Sequence, residues 1–284
     1  MPSVSVAAAN VKQAAIGLKK IREKNKIAKK HLPGFREFFE AQRDLLLKQL
    51  PALQSILEQQ PSIAKTNKTS EQLRAELLKE FNAIWDDVEK ATTTDLQDLV
   101  VSAEMDGMQA GGDMAAKTLP FDPSKKPGTT FNLENPRAVA WFKANGGSLS
   151  KIKDIQTTTA DSLKTVITTA LDEGWSYNQT AKEIRKLYDG PISRDRAQTI
   201  AVYESAQAYE AGNRGFVDGL TDDGVTMEKR YQTSEDPLVS ELCQGNQDDG
   251  WIPLDQPHTS GVQNPPGHVR CRCYEIYREA SRSE

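Results

Sequence analysis

The chain has 284 residues, of which 37% are hydrophobic and 7% aromatic, and a formal net charge of −4. That apolar content is low for one large enzyme core and favours separate helical layers with solvated arms. No run approaches the roughly 20 apolar residues of a membrane span, and three cysteines do not make a secreted disulfide scaffold. The N-terminal apolar run is broken by Asn10, Lys12 and Gln13, too early for a signal sequence. A soluble protein assembled in a reducing cytoplasm is predicted.

Residues 1–33 form a basic arm. Between residues 10 and 31, Lys12, Lys19, Lys20, Arg22, Lys24, Lys26, Lys29 and Lys30 face one acid, Glu23. The local balance of +7 leaves −11 for the rest of the chain. Such an arm suits an acidic surface, either a nucleic acid or a partner protein, and reads equally well as a solvated helix. No aromatics interleave the lysines, so base stacking is not supported.

Residues 34–116 read as a long helical hairpin. Phe35, Phe38, Phe39, Leu46, Leu50, Leu53 and Leu57 form an apolar stripe that Pro51 kinks or splits. After a polar break at 61–68, Thr69 and Gln72 make a capping box, followed by Leu73, Leu77, Phe81, Ile84 and Val88 at helical spacing. The Gly111-Gly112 pair is the predicted stop, and 121–128 is a linker by composition.

Residues 117–224 read as a compact bundle of short helices. Asn135-Pro136 opens one that Gly146-Gly147 ends. The next, through Leu163, Val166, Ile167, Ala170 and Leu171, stops at Gly174. Ser176 caps another, ending at Gly190-Pro191, and Ser193 opens the last. Glu204 lies in that last helix, where a structural pairing with Arg194 or Arg196 outweighs an acid–base role because no second acid or His stands at helical spacing. Glu210, Asp218 and Asp222 read as surface charges.

From residue 225 to 284 the period changes. Residues 227–233 and 272–278 suit strands, with Trp251-Ile252-Pro253 as a third, and the long loop between them needs a pin. All three cysteines lie here, with Asn264-Pro265-Pro266-Gly267-His268-Val269-Arg270-Cys271-Arg272-Cys273 the densest segment. Cys243, His268, Cys271 and Cys273 have the ligand types and number of a closed structural zinc site. A link from Cys243 to Cys271 or Cys273, and plain packing of thiols, are the alternatives. The predicted fold class is thus mostly α with a small α+β C-terminal part: helical hairpin, helical bundle, and β-rich Cys/His tail.

The segments Phe131-Asn132-Leu133-Glu134-Asn135-Pro136-Arg137-Ala138-Val139-Ala140-Trp141, Glu173-Gly174-Trp175-Ser176 and Ile200-Ala201-Val202-Tyr203-Glu204 occur in that order. With Pro265-Pro266-Gly267-His268 and Cys271-Arg272-Cys273 they resemble the core of MuF-type phage head morphogenesis proteins, the phage minor head or minor capsid proteins, over residues 117–277. Many members carry threonine where this chain has Tyr203, and a first cysteine where it has Ser240. The resemblance implies a virion structural protein, not an enzyme. It would sit inside the capsid at the portal vertex, reached from the host cytoplasm during assembly. The partner implied is the portal protein, with the major capsid or scaffolding protein and packaged DNA, through residues 10–31, as further candidates. The competing classes are a zinc-containing nuclease or toxin-like effector, drawn from His258 and His268 with Asp248 or Asp249, and a non-specific DNA-binding protein. Neither a phosphate-binding glycine loop nor a nucleophile elbow supports an enzyme.

Overall fold

The computed structural model describes residues 4–57, 69–119, 131–145 and 149–280. The segments 61–68 and 121–128 and the Gly146-Gly147 stop lie outside them. As expected, the protein is mainly helical with a small three-stranded antiparallel sheet near the C-terminus. The chain divides into two compact units, each assembled from distant segments. One comprises Met1–His31, Val100–Gly146 and Thr199–Glu284; the other comprises Leu32–Leu99 and Gly147–Gln198.

Helix α1 spans Val4–Gln49 and starts far ahead of the apolar stripe that announced it. Its inward positions are Gly17, Lys20, Lys24, Ile27, Ala28, His31, Phe35, Phe38, Phe39, Gln42 and Leu46. The three- and four-residue spacing is unbroken, but four of these residues are polar, so a count of hydrophobic residues misses the first half. Pro33 lies inside the helix and omits one backbone bond without ending it.

In the second unit, the rest of α1 passes through a tight 3-10 turn at Leu50–Leu53, with Pro51 in its first positions, into the short α2, Gln54–Leu57. Helix α3, Ser70–Thr118, opens with the predicted capping box: the Thr69 amide donates to Gln72 Oε1 (2.8 Å) and the Gln72 amide to Thr69 Oγ1 (3.2 Å). Phe38 and Phe39 meet edge to face, Phe81 and Trp85 stack, and Gly34 lets α1 approach Leu99 of α3. Helix α5, Leu149–Asp172, ends where Gly174 adopts φ +65° and Trp175 N bonds Ala170 O. Helix α6, Tyr177–Leu187, is capped by Ser176 through the Gln179 amide. Gly190-Pro191 does not end it. Residues Tyr188–Arg196 continue as a wider π-type coil, which accommodates the missing Pro191 N–H, directly into α7, Ala197–Asp222. Ser193 is therefore buried mid-coil and is not a cap. Tyr188 Oη donates to Gln42 and Arg43 pairs with Asp189.

In the first unit, α3 runs past Gly111-Gly112 to Thr118. These glycines serve close packing instead of termination. A Cβ on Gly111 would lie 1.9 Å from the Tyr209 carbonyl oxygen of α7, and one on Gly212 would lie 2.0 Å from that of Met108. The two backbones touch, with Gly107 against Ser205 extending the contact. Gly111→Ala is expected to cost about 3 kcal/mol, the upper end of overpacking penalties, because a backbone carbonyl cannot step aside. Urea unfolding at unchanged slope would show it. Around this crossing Met108, Ala115, Phe131, Ala208, Phe216, Val217 and Leu220 form the core. Helix α4, Pro136–Asn145, packs on it, with Asn135 capping through the Arg137 amide.

The sheet has the order β2-β1-β3, with β1 Met227–Gln232, β2 Ile252–Pro253 and β3 Tyr274–Glu279. Strand β3 pairs with β1 in the register Lys229↔Tyr277 and Tyr231↔Glu275, leaving its other edge outside the sheet. The intervening chain forms a further helix, α8, Glu241–Asp248, inside the stretch expected to be loop.

Candidate metal centre

Three short-range devices gather the cysteines. Ser240 caps α8 by accepting from the Cys243 amide (3.3 Å), which places Cys243 in the first turn with its side chain inward. The Cys271 amide bonds the His268 carbonyl (3.1 Å), so the segment after the cis Pro265–Pro266 bond folds back with Arg270 at φ +65°. Cys273 sits at the entrance to β3. All three thiols are buried and free, and their sulfurs lie within 4.8 Å of one another.

The geometry suits a tetrahedral ion. Cys243 Sγ and Cys271 Sγ are 3.7 Å apart; two thiolates at zinc–sulfur bond length and tetrahedral angle stand about 3.8 Å apart. His268 Nε2 is 3.2 Å from Cys243 Sγ, close to the corresponding sulfur–nitrogen edge of about 3.6 Å. The other ring nitrogen, Nδ1, lies 2.8 Å from the Val269 carbonyl, to which it donates, leaving a lone pair on Nε2. Ser240 Oγ lies 3.0 Å from that same Nε2, where its hydroxyl and an ion would compete for the one lone pair. The Tyr231 hydroxyl sits 3.4 Å from both Cys243 and Cys271 sulfurs. Hydrogen bonding between the Cys-x-Cys sulfurs holds the Cys271 thiol far below its ordinary range and pushes Cys273 up. Three sulfurs suit a soft-to-borderline ion such as Zn²⁺, and His268, beside Cys243 but outside the three-sulfur group, is the imidazole available as a fourth donor.

A second cluster stands beside the first, with no periodic signal in the sequence. His258 is buried with Nε2 2.9 Å from Glu275 Oε1 and Nδ1 3.3 Å from Asp249 Oδ2. Asp248 is instead on the surface, holding Gln244. Tyr277 Oη donates to Glu275 (2.8 Å), and the Lys229 ammonium, buried on β1, bonds Gln263 and lies 4.0 Å from Glu275. His258 and His268 thus serve different clusters. Glu210, read from sequence as a surface charge, is fully buried: it accepts from Lys24 Nζ at 2.9 Å and from the Glu275 amide at 3.4 Å. The sequence pattern placed it beside exposed residues because its partner lies 186 positions away. Glu204 is buried as well, and Arg196 donates to the Ile155 carbonyl.

Lys24 also donates to the Cys273 carbonyl (2.6 Å), and Lys20 to the Glu275 carbonyl (2.6 Å) and to Asn213 (3.3 Å). Burial lowers the Lys20 ammonium to about 8. Its folded value is depressed below the unfolded one, so the unfolded chain binds the extra proton between these values. Stability from this group is therefore reduced below pH 8 and recovers as pH rises toward 10.5. The recovery is of order 3 kcal/mol, and Lys20→Met should flatten that part of the stability–pH profile measured by urea unfolding.

The long helices, the small antiparallel sheet and the three free buried cysteines gathered beside it define the class as a mainly helical protein with a small, cysteine-bearing β-rich tail. Residues 161–276 match the model of the family described as phage Mu protein F like protein, and over that stretch the chain is similar to that family. The matched part contains the Ile200–Glu204 and Pro265–Cys273 motifs, whereas the 131–141 motif lies ahead of it. No match was found among curated proteins or among solved structures. The family points to phage head morphogenesis and to the virion. Among the described residues no helix is long and apolar enough to cross a membrane.

Proposed function

We propose that the protein is a minor head protein that docks on the portal at one capsid vertex during procapsid assembly. We propose further that its tail is closed by one structural Zn²⁺ held by Cys243, Cys271, Cys273 and His268. The family match carries the first reading and the 3.7 Å sulfur spacing the second. All four donors being engaged leaves no open position for a substrate, so the ion would supply folding energy instead of catalysis. The role is then binding and geometry.

The outer face of α1 is the docking element favoured here. Leu18, Lys19, Arg22, Lys26 and Lys29 are exposed and recur at three- and four-residue spacing on the side opposite Lys20 and Lys24. Among the described residues, none of these four cations lies within ion-pair distance of a carboxylate, whereas Lys30 pairs with Asp106. An acidic partner surface would complement this stripe. The same stripe supports a second reading, contact with packaged DNA, with steep salt dependence and little sequence preference.

Co-expression with the portal protein of the same phage, followed by size-exclusion chromatography, tests the first reading. A stoichiometric complex is expected, and separate elution would overturn it. Reversing Lys19, Arg22, Lys26 and Lys29 to Glu then separates the two uses of the stripe: loss of the complex makes it a portal contact, and loss of DNA association alone makes it a DNA contact. Deleting the whole arm would be a poorer test, because it also removes Lys20 and Lys24 from their buried partners.

A further inference from the structure

Strand β3 is an edge strand, and its free edge faces α1. On that edge the carbonyls of Cys273 and Glu275 accept from Lys24 and Lys20, and the Glu275 amide donates to Glu210. The match is metric. Four residues of helix advance about 6 Å, and two residues of strand advance about 6.7 Å, so lysines at i and i+4 meet carbonyls at i and i+2. Gly17 completes the fit one turn earlier: a Cβ there would lie 1.9 Å from the Tyr274 hydroxyl oxygen. The first part of α1 is therefore shaped to one strand edge, in the position where a further strand would otherwise add.

One of the two gripped carbonyls belongs to Cys273, whose sulfur is in the knot. Residues 271–273 have no regular secondary structure of their own; the sulfur cluster and Lys24 hold them from two sides, beside the Arg272–Asp236 ion pair and the Cys271 amide bond to the His268 carbonyl. Resting on the zinc reading above, we propose that residues 15–31 form a metal-linked latch: zinc in the knot fixes the carbonyls that Lys24 and Lys20 grip, and loss of zinc releases the helix from β3. Linkage makes the coupling reciprocal, so a docked helix tightens zinc by the same factor that zinc tightens the docking. The basic stripe on the opposite side of this helix is then presented on a fixed support only while the knot is loaded. Metal occupancy thereby regulates the surface offered to an acidic partner.

The test is hydrogen exchange on the full-length protein, with zinc counted by elemental analysis before and after chelation. Residues 35–49 of the same helix serve as the internal reference. Removing zinc should raise exchange over residues 15–31 at least tenfold, with the reference segment unchanged. In Lys24→Met, which alters no proposed ligand, the same segment should lose protection with zinc still bound, and zinc should leave roughly 10- to 100-fold more readily. Zinc that departs without any change over 15–31 overturns the latch and leaves the metal site standing. A protein that takes up no zinc overturns both, and the elemental count identifies that case. The chelation arm does not depend on the variant folding.

Discussion

Cys273→Ser is expected to abolish stoichiometric zinc binding and to open the tail to protease between residues 233 and 273. The segment holds one two-turn helix and a two-residue strand, and its local cluster comprises Tyr231, Cys243, Cys271 and Cys273, with Val239 and Val262 alongside. That much apolar burial does not by itself offset the ordering of some forty residues. Losing a directly bound thiolate should weaken zinc by more than about 100-fold, beyond what changes in orienting groups cost. Ser240→Ala, which removes the α8 cap that places Cys243 but no proposed ligand, should fall within about 10- to 100-fold. The pair of variants thus distinguishes ligand from support. Elemental analysis of the purified proteins and timed trypsin digestion give both readouts. Full zinc content in Cys273→Ser, with an unchanged digestion pattern, would remove Cys273 from the ligand set.

Glu210→Ala should be among the most damaging single substitutions in the first unit. It leaves the Lys24 ammonium buried without a counter-charge and takes away an acceptor of the Glu275 amide. Breaking one partner of a buried pair costs about 3–5 kcal/mol. The same reasoning predicts a large rescue: Lys24→Met combined with Glu210→Leu removes both charges and should recover most of the loss. A urea double-mutant cycle measures the coupling. Additive losses would mean that the two side chains act independently, against the geometry.

Much of the local structure was legible because its signals are local. The Thr69 and Gln72 reciprocal cap, the Ser176 cap, the left-handed Gly174 and the strand pattern at 227–232 each depend on neighbours in sequence, and each stands where it was read. The sulfur cluster was legible because few residue types bind soft ions. What failed to show depends on distant partners. Lys20, Lys24, His31 and Gln42 occupy inward positions of α1, so its first half looked like a solvated basic arm. Gly111 and Gly112 read as a stop because a glycine that ends a helix and one that admits another backbone are the same letter. Helix α8 was hidden in a Gly- and Gln-rich stretch, although Ser240 before Glu241 was an available cap signal. Glu210 carries no pattern, since its partner Lys24 belongs to a helix at the other end of the chain, and Glu275 carries none, since His258 reaches it from a loop and Lys229 from the neighbouring strand.

That separation bears on how the chain is made. The Lys20–Glu275 contact joins residues 255 positions apart. At synthesis rates of about 5–20 residues per second, the N-terminal helix waits roughly 13 to 50 seconds for the strand it covers to be translated. All segments of the second unit are synthesised by residue 198, well before β3 exists. During that interval the inward lysines of α1 stand in water, fully hydrated and charged. The same two charges that are costly to bury at the end keep the waiting helix soluble at the start.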